Sequence, residues 1–190
     1  MKALLGITVI ATGLALAGGA GAMGLIPGKH ASGDSALIKN AMSAAPKSVS
    51  QDAQIVAMGA DMKMRTLRAG TNGWTCMPDS PATPGPDPMC MDANAMLFVG
   101  AWVSHTPPPA DKIGFMFMLA GGTDASNTDP YAQGPAPGNH WVKTGPHVMI
   151  VGAPVAQMMA GYPAAPDPNA KAPYVMWAGT PYEHLMIPVK

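Results

Sequence analysis

Histidine and methionine recur two residues apart in the second half of the chain. His147 is followed by Met149, and His184 is followed by Met186. Residues at positions i and i+2 of a strand point to one face, so each pair would place an imidazole beside a thioether. Thioethers favour Cu(I), and the pattern therefore predicts a candidate copper site formed by these four residues.

Methionine is abundant beyond these two pairs. The chain has 17 methionines, and several others also repeat at i and i+2: Met62 with Met64, Met89 with Met91, and Met116 with Met118. Methionine is also a common gap-filler in apolar cores, and most of these residues lie in apolar runs. Packing is therefore the alternative to copper binding, and the sequence leaves both open.

A second candidate site combines His147 with the neighbouring residues Glu183 and His184. Both histidines lie where a turn leads into a strand, a position from which polar groups can reach a cleft. If the two strands are close, the three side chains can bind a metal, or a histidine can act as a base oriented by the carboxylate. The alternative is that each histidine separately bonds to nearby backbone.

A long polar loop over residues 121–138 carries the next candidates, Asp124 and Asp129. Their oxygens suit Ca²⁺, but the spacing lacks the 1, 3, 5 acidic pattern and the terminal Glu of an EF-hand loop. Asx-turns explain the same residues. Long loops in compact domains often carry function, so this loop can wall a pocket, with Trp141 as an aromatic platform or as a packed side chain.

Several function classes find no support in the sequence. There is no G-x-S-x-G elbow, H-E-x-x-H motif or P-loop. The 11 basic and 11 acidic residues give a formal net charge of +0, and no basic cluster is present. We therefore expect no nucleic-acid partner.

The N-terminal segment and the two cysteines predict an exported protein. Residues 1–22 combine a lysine, an apolar run and the small residues of an A-x-A site, which is typical of a cleavable signal peptide; the alternative is an uncleaved anchor. No membrane span is expected after cleavage. Cys76 and Cys90 then predict a disulfide rather than a thiolate metal pair or a catalytic thiol. The expected location is periplasmic or secreted.

The remaining chain reads as a flexible leader over residues 23–33 and a single domain over 34–190. Helices are predicted over 34–45 and 92–103, with a short one near Met158 and Met159. Strands are predicted over 54–58, 62–69, 74–77, 114–120, 147–151, 174–178 and 185–189.

Two turn and proline signals refine this pattern. The dipeptide Asn72-Gly73 predicts a hairpin between the second and third strands, and Pro188 predicts that the last strand lies at a sheet edge. The predicted fold class is α+β: a mainly antiparallel sheet of five to seven strands, two or three short helices and long Pro/Gly-rich loops.

Three segments carry a family resemblance. They are GTNGWTCMP at residues 70–78, GPHVM at 145–149 and MWAGTPYEHL at 176–185. They are similar to segments of a family of uncharacterised exported bacterial proteins. The resemblance implies export and a single domain, and it brings no established activity and no catalytic residues.

The sequence therefore favours an exported binding module for a small molecule or a metal ion. Its pocket would use the loop over 121–141, His147 and the Glu183-His184 corner. Two alternatives remain: a hydrolase-like periplasmic enzyme with a histidine general base, and a structural envelope protein without a pocket.

Overall fold

The computed structural model describes residues 30–59, 63–83 and 85–189. The predicted signal peptide and most of the predicted leader lie outside these residues. The first helix already begins at His30, ahead of the predicted start at residue 34. No described helix has both the length and the apolar character needed to cross a bilayer.

The described residues form four helices and ten strands. The helices are α1 (His30–Met42), α2 (Lys47–Ser50), α3 (Ala93–Val103) and α4 (Val155–Met158). The strands are β1 (Gln54–Met58), β2 (Met64–Arg68), β3 (Thr75–Met77), β4 (Met89–Met91), β5 (Gly114–Met118), β6 (Ala125–Ser126), β7 (Trp141–Val142), β8 (His147–Val151), β9 (Tyr174–Met176) and β10 (His184–Pro188).

Eight of the strands form one sheet in the order β2-β1-β3-β4-β5-β8-β10-β9, and β6 pairs with β7 in a separate ribbon. All pairs in the large sheet are antiparallel except β1 with β3. The α+β class and the mainly antiparallel sheet are thus confirmed. The counts of five to seven strands and two or three helices were too low, because β4, β6, β7 and α2 are too short to show a periodic pattern.

The hairpin predicted at Asn72-Gly73 is wrong. The strand β1 lies between β2 and β3, so the segment after β2 passes around the start of β1 instead of turning back on β2. Asn72 still makes a local turn, since its Oδ1 accepts a hydrogen bond from the Trp74 N–H. Its side-chain amide donates to the Val49 carbonyl, which holds the turn on the neighbouring α2 region rather than on β2.

The edge position predicted from Pro188 is also wrong, because β10 lies between β8 and β9. The Val189 N–H donates to the Pro146 carbonyl on the β8 side, so the missing N–H of Pro188 would face the β9 side. On that side β9 pairs only with residues up to Met186. Pro188 therefore lies in the part of β10 that extends beyond its pairing with β9, where no N–H donor is needed.

The two faces of the large sheet carry separate cores. On one face, α3 packs over β4, β5, β8, β9 and β10 with a methionine-rich cluster. On the other, α1 covers β1, β3 and β4, and α4 covers β9 and β10. The methionine-rich face holds the candidate site.

The predicted disulfide between Cys76 and Cys90 is present. The two residues lie directly opposite each other in β3 and β4, and both are fully buried under α1. Their bond closes the base of the proline-rich connection between these strands.

The predicted helix at residue 92 is confirmed, and its cap also positions it on the sheet. Asp92 accepts hydrogen bonds from the N–H of Ala95 in α3 and from the N–H of Phe115 in β5. The helix lies so close to β5 that a Cβ added to Gly114 would stand 2.2 Å from the Ala95 nitrogen.

We expect Gly114→Ala to destabilise the protein by about 2 kcal/mol or more, because the added methyl group would force α3 away from the sheet. Gly100→Ala is the matched control. Gly100 lies in α3, and nothing lies within 4 Å of a Cβ added at that position. This substitution should raise stability by about 0.5–1 kcal/mol through helix propensity. Equal midpoints for the two variants in chemical denaturation would contradict this view of the α3–β5 contact.

Candidate functional site

A cavity of about 630 Å³ lies between the methionine-rich sheet face and α3. Its floor is formed by strands β4, β5, β8, β9 and β10, and α3 supplies Phe98, Val99 and Trp102 as one wall. Six methionines line it: Met89, Met116, Met118, Met149, Met176 and Met186. The volume lies within the range of small-molecule pockets.

The loop that follows β5 forms the roof. Trp102 donates its indole N–H to the Pro130 carbonyl, and the Tyr131 hydroxyl donates to the Trp102 carbonyl. The ribbon of β6 and β7 stiffens the same loop and places Trp141 on the cavity wall. The predicted polar loop is therefore an ordered cover attached to α3.

His184 is a deeply buried polar side chain of the cavity lining. It is 2 % exposed, and its ring lies edge-on against Phe98 and Trp177. Its Nδ1 lies 2.9 Å from the Tyr182 carbonyl oxygen. A carbonyl can only accept, so Nδ1 carries the proton and Nε2 keeps its lone pair.

The Nε2 atom of His184 is buried and has no hydrogen-bond partner. An unsatisfied buried acceptor costs about 1–3 kcal/mol. Burial lowers the pKa of His184 to about 4, opposed by the bond to Tyr182 and reinforced by His147. The imidazole is therefore neutral at pH 7, its Nε2 lone pair is free, and the residue belongs to the cavity lining.

His147 has a similar arrangement at the other end of the floor. Its Nδ1 donates to the Gly145 carbonyl at 2.7 Å, and burial lowers its pKa. The ring lies against Gly122, where an added Cβ would stand 2.6 Å from its Cε1 atom. The glycine is thus needed for the ring to occupy this position.

The two histidines line one cavity but do not meet. His147 is paired with Pro188, which lies four residues after His184 on β10. This offset separates their Cα atoms by about 14 Å, and each ring is bonded to a carbonyl at an opposite end of the paired strands. Ligation of one ion by both imidazoles is therefore not supported by the geometry.

Glu183 does not join them. Glu183 lies just before β10 and is not among the residues that line the cavity. Its carboxylate accepts the N–H of Gly179 and lines a shallow depression elsewhere. The predicted trio of His147, His184 and Glu183 is therefore not formed.

Three carboxylates are among the lining residues: Asp87, Asp124 and Asp129. Asp124 accepts the Thr144 N–H, and Asp129 accepts the Tyr131 N–H in an Asx-turn. Burial raises the pKa of Asp87. Among the described residues, no group of three or more His, Cys, Asp or Glu side chains could hold a metal ion, so the calcium alternative gains no support.

Five of the six residues predicted to bind therefore line one cavity, namely His147, His184, Asp124, Asp129 and Trp141, and so do Met149 and Met186. Sequence reasoning missed Asp87, Met176 and Trp177. Trp177 follows β9 with φ 56°, a conformation unusual for a bulky residue. Its indole N–H is held by the Ser126 carbonyl. No local pattern signals such a contact between segments far apart in sequence.

The chain has no significant match to a protein-family model, a curated protein or a solved structure.

Proposed function

We propose that the protein is a binding module whose cavity takes a small, largely apolar molecule that is neutral or positively charged. The observation that supports this most directly is the lining itself: methionine and aromatic side chains surround a volume of about 630 Å³. Ligand pockets of this kind are mostly apolar, with few polar groups that fix orientation.

The polar groups of the lining define the charge of the ligand. Its titratable residues are three aspartates and two histidines, and none of the described lining residues is Lys or Arg. An anionic ligand would find carboxylates and no cation. A ligand with a hydroxyl or ammonium donor can instead bond to the free Nε2 of His184 or to a carboxylate.

A pair of probes matched in size and opposite in charge tests this proposal. Phenethylamine and 3-phenylpropionate have similar size and opposite charge. At ten times its Kd, phenethylamine should stabilise the protein by about 1.4 kcal/mol, or about 4 °C in thermal unfolding for a chain of this size. Phenylpropionate should give no shift. Equal shifts would refute the charge argument, and no shift with either probe would refute the cavity proposal.

The matched variants Val99→Trp and Leu97→Trp locate the binding site. Val99 lines the cavity, whereas Leu97 lies on the outer side of α3 and is 49 % exposed. We expect Val99→Trp to occupy part of the cavity and diminish the shift with phenethylamine, while Leu97→Trp leaves it unchanged. An undiminished shift in a folded Val99→Trp variant would place the ligand elsewhere.

The enzyme alternative has less support. The Nδ1 atoms of His147 and His184 both bond to backbone carbonyls, so neither imidazole is oriented by a carboxylate in the described structure. The alternative of a structural envelope protein without a pocket also has less support, because a cavity of ligand size is present. Export remains part of the proposal, and a disulfide bond is typical of proteins in oxidising compartments.

A further inference from the structure

A row of four methionines crosses the cavity side of the sheet. Met91, Met116, Met149 and Met186 lie on four adjacent strands, and each is directly opposite the next. Directly opposite side chains have Cβ atoms about 4.5–5.5 Å apart. The row therefore places thioethers of neighbouring strands within reach of one another.

His184 stands beside one end of this row. It precedes Met186 by two residues on β10, so both side chains face the cavity. Its direct neighbour on β9 is Met176, just as Met149 is the direct neighbour of Met186 on β8. The imidazole thus has Met176 directly opposite it, Met186 two residues along its own strand, and Met149 as a diagonal neighbour on β8. All three methionines belong to the cavity lining.

We propose that His184, Met186, Met176 and Met149 bind one Cu(I) ion through the Nε2 atom and three thioether sulfurs. The free Nε2 atom is the observation that points to a ligand, since it is fully buried and lacks a partner. Metal-binding histidines commonly donate their other ring N–H to a backbone carbonyl, as Nδ1 of His184 does to Tyr182.

The donor set selects the metal. Thioethers are soft ligands that suit Cu(I), while carboxylates and carbonyls suit Mg²⁺, Ca²⁺ and Mn²⁺. All four donors are neutral, so a buried divalent ion would lack charge compensation, and a monovalent ion carries the smaller penalty. The two cysteines cannot contribute, because they form a disulfide on the other face of the sheet.

This site differs from the set predicted by sequence spacing. His147 is about 14 Å from His184 between Cα atoms, so it is replaced by Met176, which comes from the separate strand β9. The copper site requires only the cavity floor, and it does not rest on the binding of an organic ligand.

Competition for Cu(I) with the chromophoric chelator bicinchoninate, under anaerobic conditions, tests the proposal on the purified protein. We expect one Cu(I) per chain to be withdrawn from the chelator. Met176→Leu and Met186→Leu should each weaken binding by about tenfold or more, since even changes outside the ligand set cost 10–100-fold. Leucine preserves volume and apolar character, so both variants should fold.

Met91→Leu is the control, because Met91 lies in the same row but at the far end from His184. It should bind Cu(I) like the parent. Methyl-labelled methionine and Ag(I), a closed-shell substitute, provide a second readout: the methyl signals of Met149, Met176 and Met186 should shift and that of Met91 should not.

Two results would overturn the copper site. One is failure of the parent protein to compete with the chelator, and the other is equal Cu(I) affinity in Met91→Leu, Met176→Leu and Met186→Leu. Neither result affects the shift with phenethylamine, which reports the organic ligand separately. Conversely, absence of that shift leaves the Cu(I) measurement intact.

Discussion

Removal of the Cys76–Cys90 disulfide is expected to lower the free energy of unfolding by about 3 kcal/mol. The bond closes a loop with a sequence separation of 14 and so restricts the unfolded chain. In the folded state the two residues are direct cross-strand partners that are fully buried under α1. The double variant Cys76→Ala/Cys90→Ala keeps small apolar side chains at both positions.

Thermal and chemical denaturation measure this effect. A loss of about 3 kcal/mol corresponds to a fall in Tm of about 6–12 °C for a chain of this length. Reductant should lower the Tm of the parent protein and leave that of the double variant unchanged. If a thiol assay shows that both cysteines are reduced and the Tm of the parent protein is nevertheless unchanged, the bond does not contribute to stability.

The disulfide also affects the cavity. The connection that it closes contributes Ala82, Thr83 and Asp87 to the lining. Asp87 is held by the N–H of Ser80 and itself bonds through its N–H to Asp79, so this wall is organised within the same covalent loop. We therefore expect reduction to weaken binding of phenethylamine as well as folding.

The second large effect is a loss of stability at acidic pH. Burial lowers the pKa of His184 from 6.5 to about 4 in the folded metal-free protein. Between these two values the unfolded chain binds a proton that the folded chain does not, so stability falls as the pH is lowered from about 6.5 to 4. The shift corresponds to about 3 kcal/mol, and His147 adds to it in the same direction.

Chemical denaturation at a series of pH values checks this prediction. The variant His184→Gln is neutral at every pH, and it should lose a large part of the dependence between pH 6.5 and 4. His105→Gln is the control, since His105 is exposed to solvent. An identical pH profile for His184→Gln and the parent would show that His184 is not the group responsible.

The sequence predicted single elements well where their patterns were long. The cap at Asp92, the apolar runs of β5 and β8 and the alternation of His and Met each follow from local chemistry, and each is found at the expected place. The i and i+2 spacing also placed Met116 with Met118, and His147 with Met149, on one face. Local periodicity is sufficient for this because it fixes which side chains share a face.

The order of strands could not be derived in the same way. The dipeptide Asn72-Gly73 favours a hairpin, yet β3 pairs in parallel with β1, and the Gln54 N–H donates to the Trp74 carbonyl at the start of that pairing. Likewise, the distance between His147 and His184 depends on the register of β8 with β10. Register is set by the combined packing of both strands, and neither sequence alone contains it.

The methionine floor has a further consequence for recognition. Methionine is unbranched and has three rotatable bonds, so a surface built from it can adopt new rotamers while the backbone stays in place. A cavity floor of leucine or isoleucine has fewer rotamers and fits fewer ligand shapes, whereas the methionine floor can repack around ligands of several shapes. Ligands of the proposed class should accordingly be accepted in several shapes.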